Sequence, residues 1–118
     1  MDVSGKRILI TGATGGIGEL LSRKLHDEGA SLVLSCYQAE ALERLNAALG
    51  GAHTTACADI ASEVGRLAIL ETCRELGGID AVVNLAGILN FAMFEKQASQ
   101  LIAKTIDINL TAPILLCH

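Results

Sequence analysis

The sequence predicts an α/β fold, a parallel sheet with helices on both faces. Three observations predict it. Short apolar runs alternate four times with longer segments of helical periodicity. Short connections join them, many ending in glycine, and short right-handed crossovers force neighbouring strands to run parallel. The chain is 51 % apolar but only 3 % aromatic. Its core is therefore aliphatic, as suits strands buried on both faces.

Each element follows from its residues. "RILI" (Arg7–Ile10) reads as a strand buried on both faces. From Ile17 to Glu28 a helix carries Ile17, Leu20, Leu21 and Leu25 at helical spacing, and Gly29 stops it. "SLVLS" (Ser31–Ser35) is the second strand. "AEALERLNAAL" (Ala39–Leu49) is an amphipathic helix with Leu42, Leu45 and Leu49 on one face, closed by Gly50 and Gly51. "HTTACAD" (His53–Asp59) is a weaker third strand. "SEVGRLAILETCREL" (Ser62–Leu76) is a helix with Ser62 as its cap and Gly77 and Gly78 at its end. "IDAVVNLAG" (Ile79–Gly87) is the fourth strand, running into a glycine turn. A loop follows, and from Ser99 onward a long helix is interrupted by Pro113.

With 118 residues this is one domain's worth of chain. A net charge of −4 without a basic cluster argues against a nucleic-acid partner. No contiguous apolar run reaches membrane-spanning length, and the N-terminus lacks a signal-peptide core. Cys36, Cys57, Cys73 and Cys117 form no CxxC pair, which argues against a disulfide framework or zinc site and for a reducing cytoplasm. Cys36 and Cys57 fall on neighbouring strands. His26, His53 and His118 have no partners at ligand spacing, so surface or packing roles are expected and no metal site.

The chemistry begins at "TGATGGIG" (Thr11–Gly18), between the first strand and the first helix. Gly12 permits a tight turn. Gly16 lets backbone approach a ligand without a Cβ in the way, and Gly18 lets the helix pack closely. A helix N-terminus there offers free N–H groups and dipole charge to a phosphate. The spacing is Gly-x₃-Gly-x-Gly, and the strand before and helix after supply the context that such a motif needs.

"TGATGGIG", "ADI" (Ala58–Ile60), "NLAG" (Asn84–Gly87) and "INL" (Ile108–Leu110) stand in the order and spacing of the short-chain dehydrogenase/reductase family, which the chain resembles from Lys6 to its end. The resemblance implies a Rossmann-type doubly wound parallel sheet, its N-terminal part only, with strand order 3-2-1-4 and flanking helices. It implies hydride transfer between NAD(P)(H) and an alcohol or carbonyl. Thr11, Gly12, Thr14, Gly16, Ile17 and Gly18 would then line the phosphate and ribose site. Asp59 would meet the adenine amino group, with Ile60 adding a backbone contact, and Asn84, Ala86 and Gly87 would pass under the riboses. Read alone, Asp59 could equally cap the turn before the third helix, and Asn84 could serve only its strand end. Leu85 departs from the family, which usually has a second Asn there.

Cofactor choice turns on the end of the second strand, where a carboxylate would bind the ribose 2′-OH and repel a 2′-phosphate. Cys36 stands there, followed by Tyr37, with Gly15 at another position where NADP-using relatives often carry a base. With no acid present, and with the Ser35 and Tyr37 hydroxyls at hand, the choice leans to NADP over NAD.

Pro113 has no N–H to offer the carbonyl of Asn109, four residues earlier. A kink and a buried carbonyl needing a water are expected. By the resemblance, Asn109 holds a water in a proton relay and is the one catalytic residue expected here. The family's catalytic Ser and Tyr-x-x-x-Lys do not occur in these 118 residues, whose one tyrosine is Tyr37. The expectation is a single domain over 1–118, the dinucleotide-binding half of an oxidoreductase cut before its Tyr-x-x-x-Lys segment and inactive alone. A non-catalytic binding module and an assembly scaffold are the alternatives. Expected partners are the dinucleotide, a small alcohol or carbonyl and further copies of the chain, with no nucleic acid or membrane.

Overall fold

The computed structural model describes Met1–His118. Its strands are β1 (Arg7–Thr11), β2 (Ser31–Cys36), β3 (Thr54–Cys57) and β4 (Ala81–Asn84). Its helices are α1 (Gly16–Asp27), α2 (Ala39–Ala48), α3 (Glu63–Glu75), α4 (Ser99–Ile106) and α5 (Ala112–Cys117). The strands form one parallel sheet in the order β3-β2-β1-β4. Order and direction agree with the sequence expectation; β3 and β4 are shorter than their apolar runs.

Alternation along each strand sends successive side chains to opposite faces. Ile8, Ile10, Leu32 and Leu34 face one way and pack with Leu42 and Leu45 of α2 and with Leu49 at its C-cap. Leu9, Val33 and Ala56 face the other way, against Ile69 and Cys73 of α3 and Ala112 and Leu116 of α5. Each such aliphatic side chain contributes roughly 1.5–3 kcal/mol on burial, so the two clusters hold a helix layer on each side.

Helix α1 packs differently from its apolar pattern. Ile17 and Leu20 are 72 % and 71 % exposed, while Gly18 and Ser22 are buried. The inner face runs through Gly18, Leu21, Ser22 and Leu25. Gly18 brings the helix so close that only small residues fit, and the Ser22 hydroxyl is satisfied by donating to the Gly18 carbonyl at 2.7 Å.

The expected kink at Pro113 takes the form of a π-turn over Asp107–Thr111 that joins α4 to α5. The Ala112 N–H bonds the carbonyl of Asp107, five residues back. Widening the turn by one residue accommodates a proline that cannot donate. Asn109 is exposed rather than buried. The continuous helix Ser99–Cys117 is 19 residues long, with an apolar window of mean hydropathy 1.2. By length and composition it could cross a membrane, which a reading of contiguous runs did not register. Its Ile108, Ala112 and Leu116 are nonetheless built into the core beside Leu9 and Val33, and Lys104 and Asp107 interrupt it.

At the opposite edge of the sheet, two of the histidines expected in surface or packing roles meet each other. His26 Nδ1 and His53 Nε2 stand 2.9 Å apart, their rings edge to face. His53 Nδ1 accepts the Leu32 N–H at 3.2 Å. That amide lies one residue before the pairing of β2 with β3 begins at Val33 and Thr54, so the ring stands in for a strand carbonyl. Because Nδ1 accepts, the proton of neutral His53 sits on Nε2 and points to His26. Partial burial first, and the neighbouring His26 second, push the His53 pKa down. The unfolded chain then binds the proton more readily than the folded one. Stability is complete above the ordinary histidine pKa of about 6.5 and is lost as pH falls through it. Thermal melts are expected to show a lower midpoint at pH 5 than at pH 7.5, with that slope reduced in His53→Asn. An unchanged slope would show that His53 is not its source.

Candidate dinucleotide site

The carboxyl ends of the strands lie at one edge, fixed by the register Thr11–Ser35, Thr11–Asn84 and Cys36–Cys57. Successive strands step from β1 to β2 to β3, and the chain then returns to place β4 on the other side of β1. A crevice opens where such a reversal occurs, outside the strand ends. Here it is a cavity of about 290 Å³.

Four loops wall it. From the β1–α1 turn come Gly12, Thr14 and Gly15, and from the end of β2 come Ser35, Cys36, Tyr37 and Gln38. The turn after β3 gives Ala58, Asp59 and Ile60. The segment after β4 gives Leu85, Ala86, Gly87 and Ile88, with Ile108 at the base. The structure thus gathers nine of the expected residues: Gly12, Thr14, Ser35, Cys36, Tyr37, Asp59, Ile60, Ala86 and Gly87. Thr11, Gly16, Ile17, Gly18, Asn84 and Asn109 lie outside the wall. Gly15 and Gln38 line it although the sequence reading gave neither a binding role; both sit beside residues it did name.

The β1–α1 turn is stitched to both neighbouring strands. Gly12 has φ +65°, and a Cβ on it would stand 2.6 Å from the Ala86 amide nitrogen. Only glycine allows that approach. Thr11 accepts twice from the β4 side, its carbonyl from the Leu85 N–H and its Oγ1 from the Ala86 N–H, both at 3.3 Å. Ala13 donates to the Ser35 carbonyl at 3.1 Å. Helix α1 starts at once, with Gly15 as an N-cap that has no side chain to satisfy the first-turn amides. Those amides are the donors that an anion would use.

Asp59 has one carboxylate oxygen engaged, Oδ1 accepting the Ala61 N–H at 2.9 Å. It therefore caps its turn and lines the cavity at once, so the two readings of it are compatible. Arg66 donates to the carbonyls of Ile60 and Ala61 at 2.8 and 3.0 Å, bracing the same turn. The Asn84 amide reaches Cys117 Sγ at 3.6 Å, on the α5 side of its strand. Asn109 spends its side chain on Ile88, accepting its N–H at 2.8 Å and donating to its carbonyl at 2.7 Å. That two-way clamp fixes the segment bearing Gly87. Leu85, where the family usually has Asn, packs against the α2-side core.

Two features fit a dinucleotide. The glycines and Ala86 leave backbone open to a phosphate chain, and Ser35 Oγ is buried at the cavity wall without a hydrogen-bond partner. A buried hydroxyl left unpaired is costly unless something supplies a partner.

Comparison with known proteins agrees with this geometry. The sequence model of the short chain dehydrogenase family matches residues 6–118. Over 112 residues the chain is 34 % identical to nodulation protein G of Rhizobium sp. (strain N33), covering 94 % of this chain and 46 % of that protein. It is 36 % identical to the 3-oxoacyl-(acyl-carrier-protein) reductase of Rickettsia prowazekii (strain Madrid E), covering 98 % and 47 %. The L-sorbose reductase of Gluconobacter frateurii, solved with NADPH and L-sorbose, superposes with TM-score 0.92 at 29 % identity, covering 99 % of this chain and 47 % of that one. A glucose/ribitol dehydrogenase structure from Brucella melitensis gives TM-score 0.92 at 32 % identity, covering 99 % and 51 %. The chain spans about half the length of the curated relatives it matches.

Proposed function

The chain belongs to the short-chain dehydrogenase family, and from that premise we propose that it carries the dinucleotide-binding part of an NAD(P)-dependent oxidoreductase acting on an alcohol or carbonyl. The observation that carries this is the cavity at the strand ends, where Gly12 abuts Ala86 beside an uncapped helix N-terminus.

In this reading the first-turn amides of α1 and the Thr14 side chain hold the pyrophosphate. Asp59, with its second carboxylate oxygen free of hydrogen bonds, receives the adenine amino group. Ala86 and Gly87 leave room for a ribose, and Asn109 holds their segment in place through Ile88. Bound there, the nicotinamide supplies or accepts the hydride. No Tyr-x-x-x-Lys pair occurs in these 118 residues, so proton transfer to the substrate oxygen is not assigned to any residue of this chain. A reducing cytoplasm suits its four free cysteines.

The test is direct titration of the chain with NADH and NADPH, followed by fluorescence. Saturable micromolar binding of either is expected, and none of either would overturn the reading. Cys36 closes β2 at the cavity wall, and its Sγ accepts the Gln38 N–H at 3.4 Å. An aspartate can accept the same N–H while placing a negative charge at the 2′ position. Cys36→Asp is therefore expected to shift the ratio of the two dissociation constants toward NADH by about tenfold or more, about 1.4 kcal/mol. An unmoved ratio would show that the 2′ position lies elsewhere.

A further inference from the structure

A second depression, about 360 Å³, lies between α1 and α2. Its walls are Thr14, Glu19 and Arg23 on one side and Ala41, Arg44, Leu45 and Ala48 on the other. Thr14 also lines the cavity at the strand ends. The two spaces therefore meet at the tip of the glycine turn, opposite the β2–α2 junction of Cys36, Tyr37 and Gln38. In a fold of this kind the 2′ position of the adenosine ribose sits at the end of the second strand.

The charges in this groove are unequal. Glu19 is spent on Arg23, which it meets at 2.7 Å, so that pair is nearly neutral. Arg44 is exposed and makes neither an ion pair nor a side-chain hydrogen bond, although Glu40 and Glu43 lie on the same helix. It stands five residues along α2 from Ala39, a rise of roughly 7.5 Å. Side chains on a helix lean toward its N-terminus, which for Arg44 is the direction of the cavity. A guanidinium with no protein partner, in a groove that shares Thr14 with a cavity whose strand-end side offers Ser35, Cys36, Tyr37 and Gln38 but neither an acid nor a base, is matched to a phosphomonoester.

We propose that Arg44 is the specificity-determining residue for a 2′-phosphate, reading it from the α1–α2 groove in place of a basic residue at the strand end. This rests on the dinucleotide reading above. The probes are adenosine 2′,5′-bisphosphate and adenosine 5′-monophosphate, titrated calorimetrically into the full chain and into Arg44→Ala. Arg44 makes no contact that the fold needs, so the variant should fold, which circular dichroism checks. The bisphosphate is expected to bind about tenfold more weakly to the variant, with the monophosphate changed by less than about twofold and the difference shrinking as salt is raised. Equal weakening of both, or an unchanged bisphosphate, would overturn the inference while leaving the dinucleotide site standing. If the unaltered chain bound neither nucleotide, the site itself would fall, and the inference with it.

Discussion

Gly18→Ala is expected to destabilise the fold severely, whereas Gly16→Val, two residues away, is expected to leave the fold intact and remove dinucleotide binding. A Cβ on Gly18 would collide with the Gly12 carbonyl oxygen and stand 2.9 Å from the Ala13 backbone. Those atoms are backbone, tied to β4 through Thr11 and to β2 through Ala13, so they cannot swing aside as a side-chain tip would. Overpacking typically costs about 1–3 kcal/mol, and a backbone clash belongs at the upper end. For a domain of this size that lowers the melting midpoint by on the order of 10–15 °C. A Cβ on Gly16 meets nothing within 4 Å. Valine there costs little, since glycine is itself a poor helix residue. It does place branched carbons over the first-turn amides of α1, where the pyrophosphate is proposed to sit. The expectation is an unchanged melt and at least about tenfold weaker binding of both NADH and NADPH. A Gly16→Val chain that melts normally and binds normally would remove the phosphate site from this turn. A Gly18→Ala chain as stable as the parent would mean that α1 sits farther from the turn than described here.

The two glycines were told apart by their places in the motif, Gly16 toward open space and Gly18 toward the sheet, and the Cβ positions agree: one on Gly16 meets nothing, one on Gly18 meets backbone. The size of the Gly18 clash was not legible, because it depends on how Gly12 and Ala13 are held by the neighbouring strands. The inward face of α1 was not legible either. Ile17, Leu20, Leu21 and Leu25 satisfy helical periodicity, yet the inner face is set by the close approach at Gly18, which leaves Ile17 and Leu20 outside. The strands were legible because double burial leaves a continuous apolar run whatever the neighbours are. The two layers were legible for the same reason. Strand order came only through the resemblance, since nothing in "AVVN" itself selects β1 over β3 as its partner. Asn109 shows the reverse case. Local chemistry located a break at Pro113, but no pattern discloses that the helix would answer with a π-turn or that the Asn109 amide would clamp Ile88 across 21 residues. The His26–His53 pair, 27 residues apart, was invisible to ligand spacing for the same reason: the fold sets the end of helix α1 beside the residue that precedes β3, and sequence distance does not disclose that.

The isolated 118-residue chain is expected to self-associate at high micromolar concentration. Two surfaces drive this. The sheet order leaves β4 at an edge, with β1 on one side only, so one row of its N–H and C=O groups is free to pair with another strand. The second surface is the outer face of α4 and α5. Leu116 belongs to the core, but Ile106, Leu110, Ile114 and Leu115 are 50, 57, 59 and 43 % exposed. The first three recur every four residues, while Ile108, Ala112 and Leu116 face inward at the same interval. At about 25 cal/mol per Å² of apolar area, covering that stripe is worth a few kcal/mol, a large fraction of the roughly 5–15 kcal/mol that holds a domain together. Light scattering on purified chain of confirmed mass should therefore report species larger than a monomer. Ile106→Glu with Ile114→Glu discriminates the surfaces, because both side chains are solvent-facing and the change leaves the core clusters untouched. If the double variant becomes monomeric, the helix face is the adhesive. If it still associates, the β4 edge is, since a charge on the helix does nothing to an unpaired strand. A well-folded monomer of the unaltered chain at the same concentration would refute both, because neither an open strand edge nor an apolar stripe would then be sticky enough to outweigh the entropy lost when two chains become one.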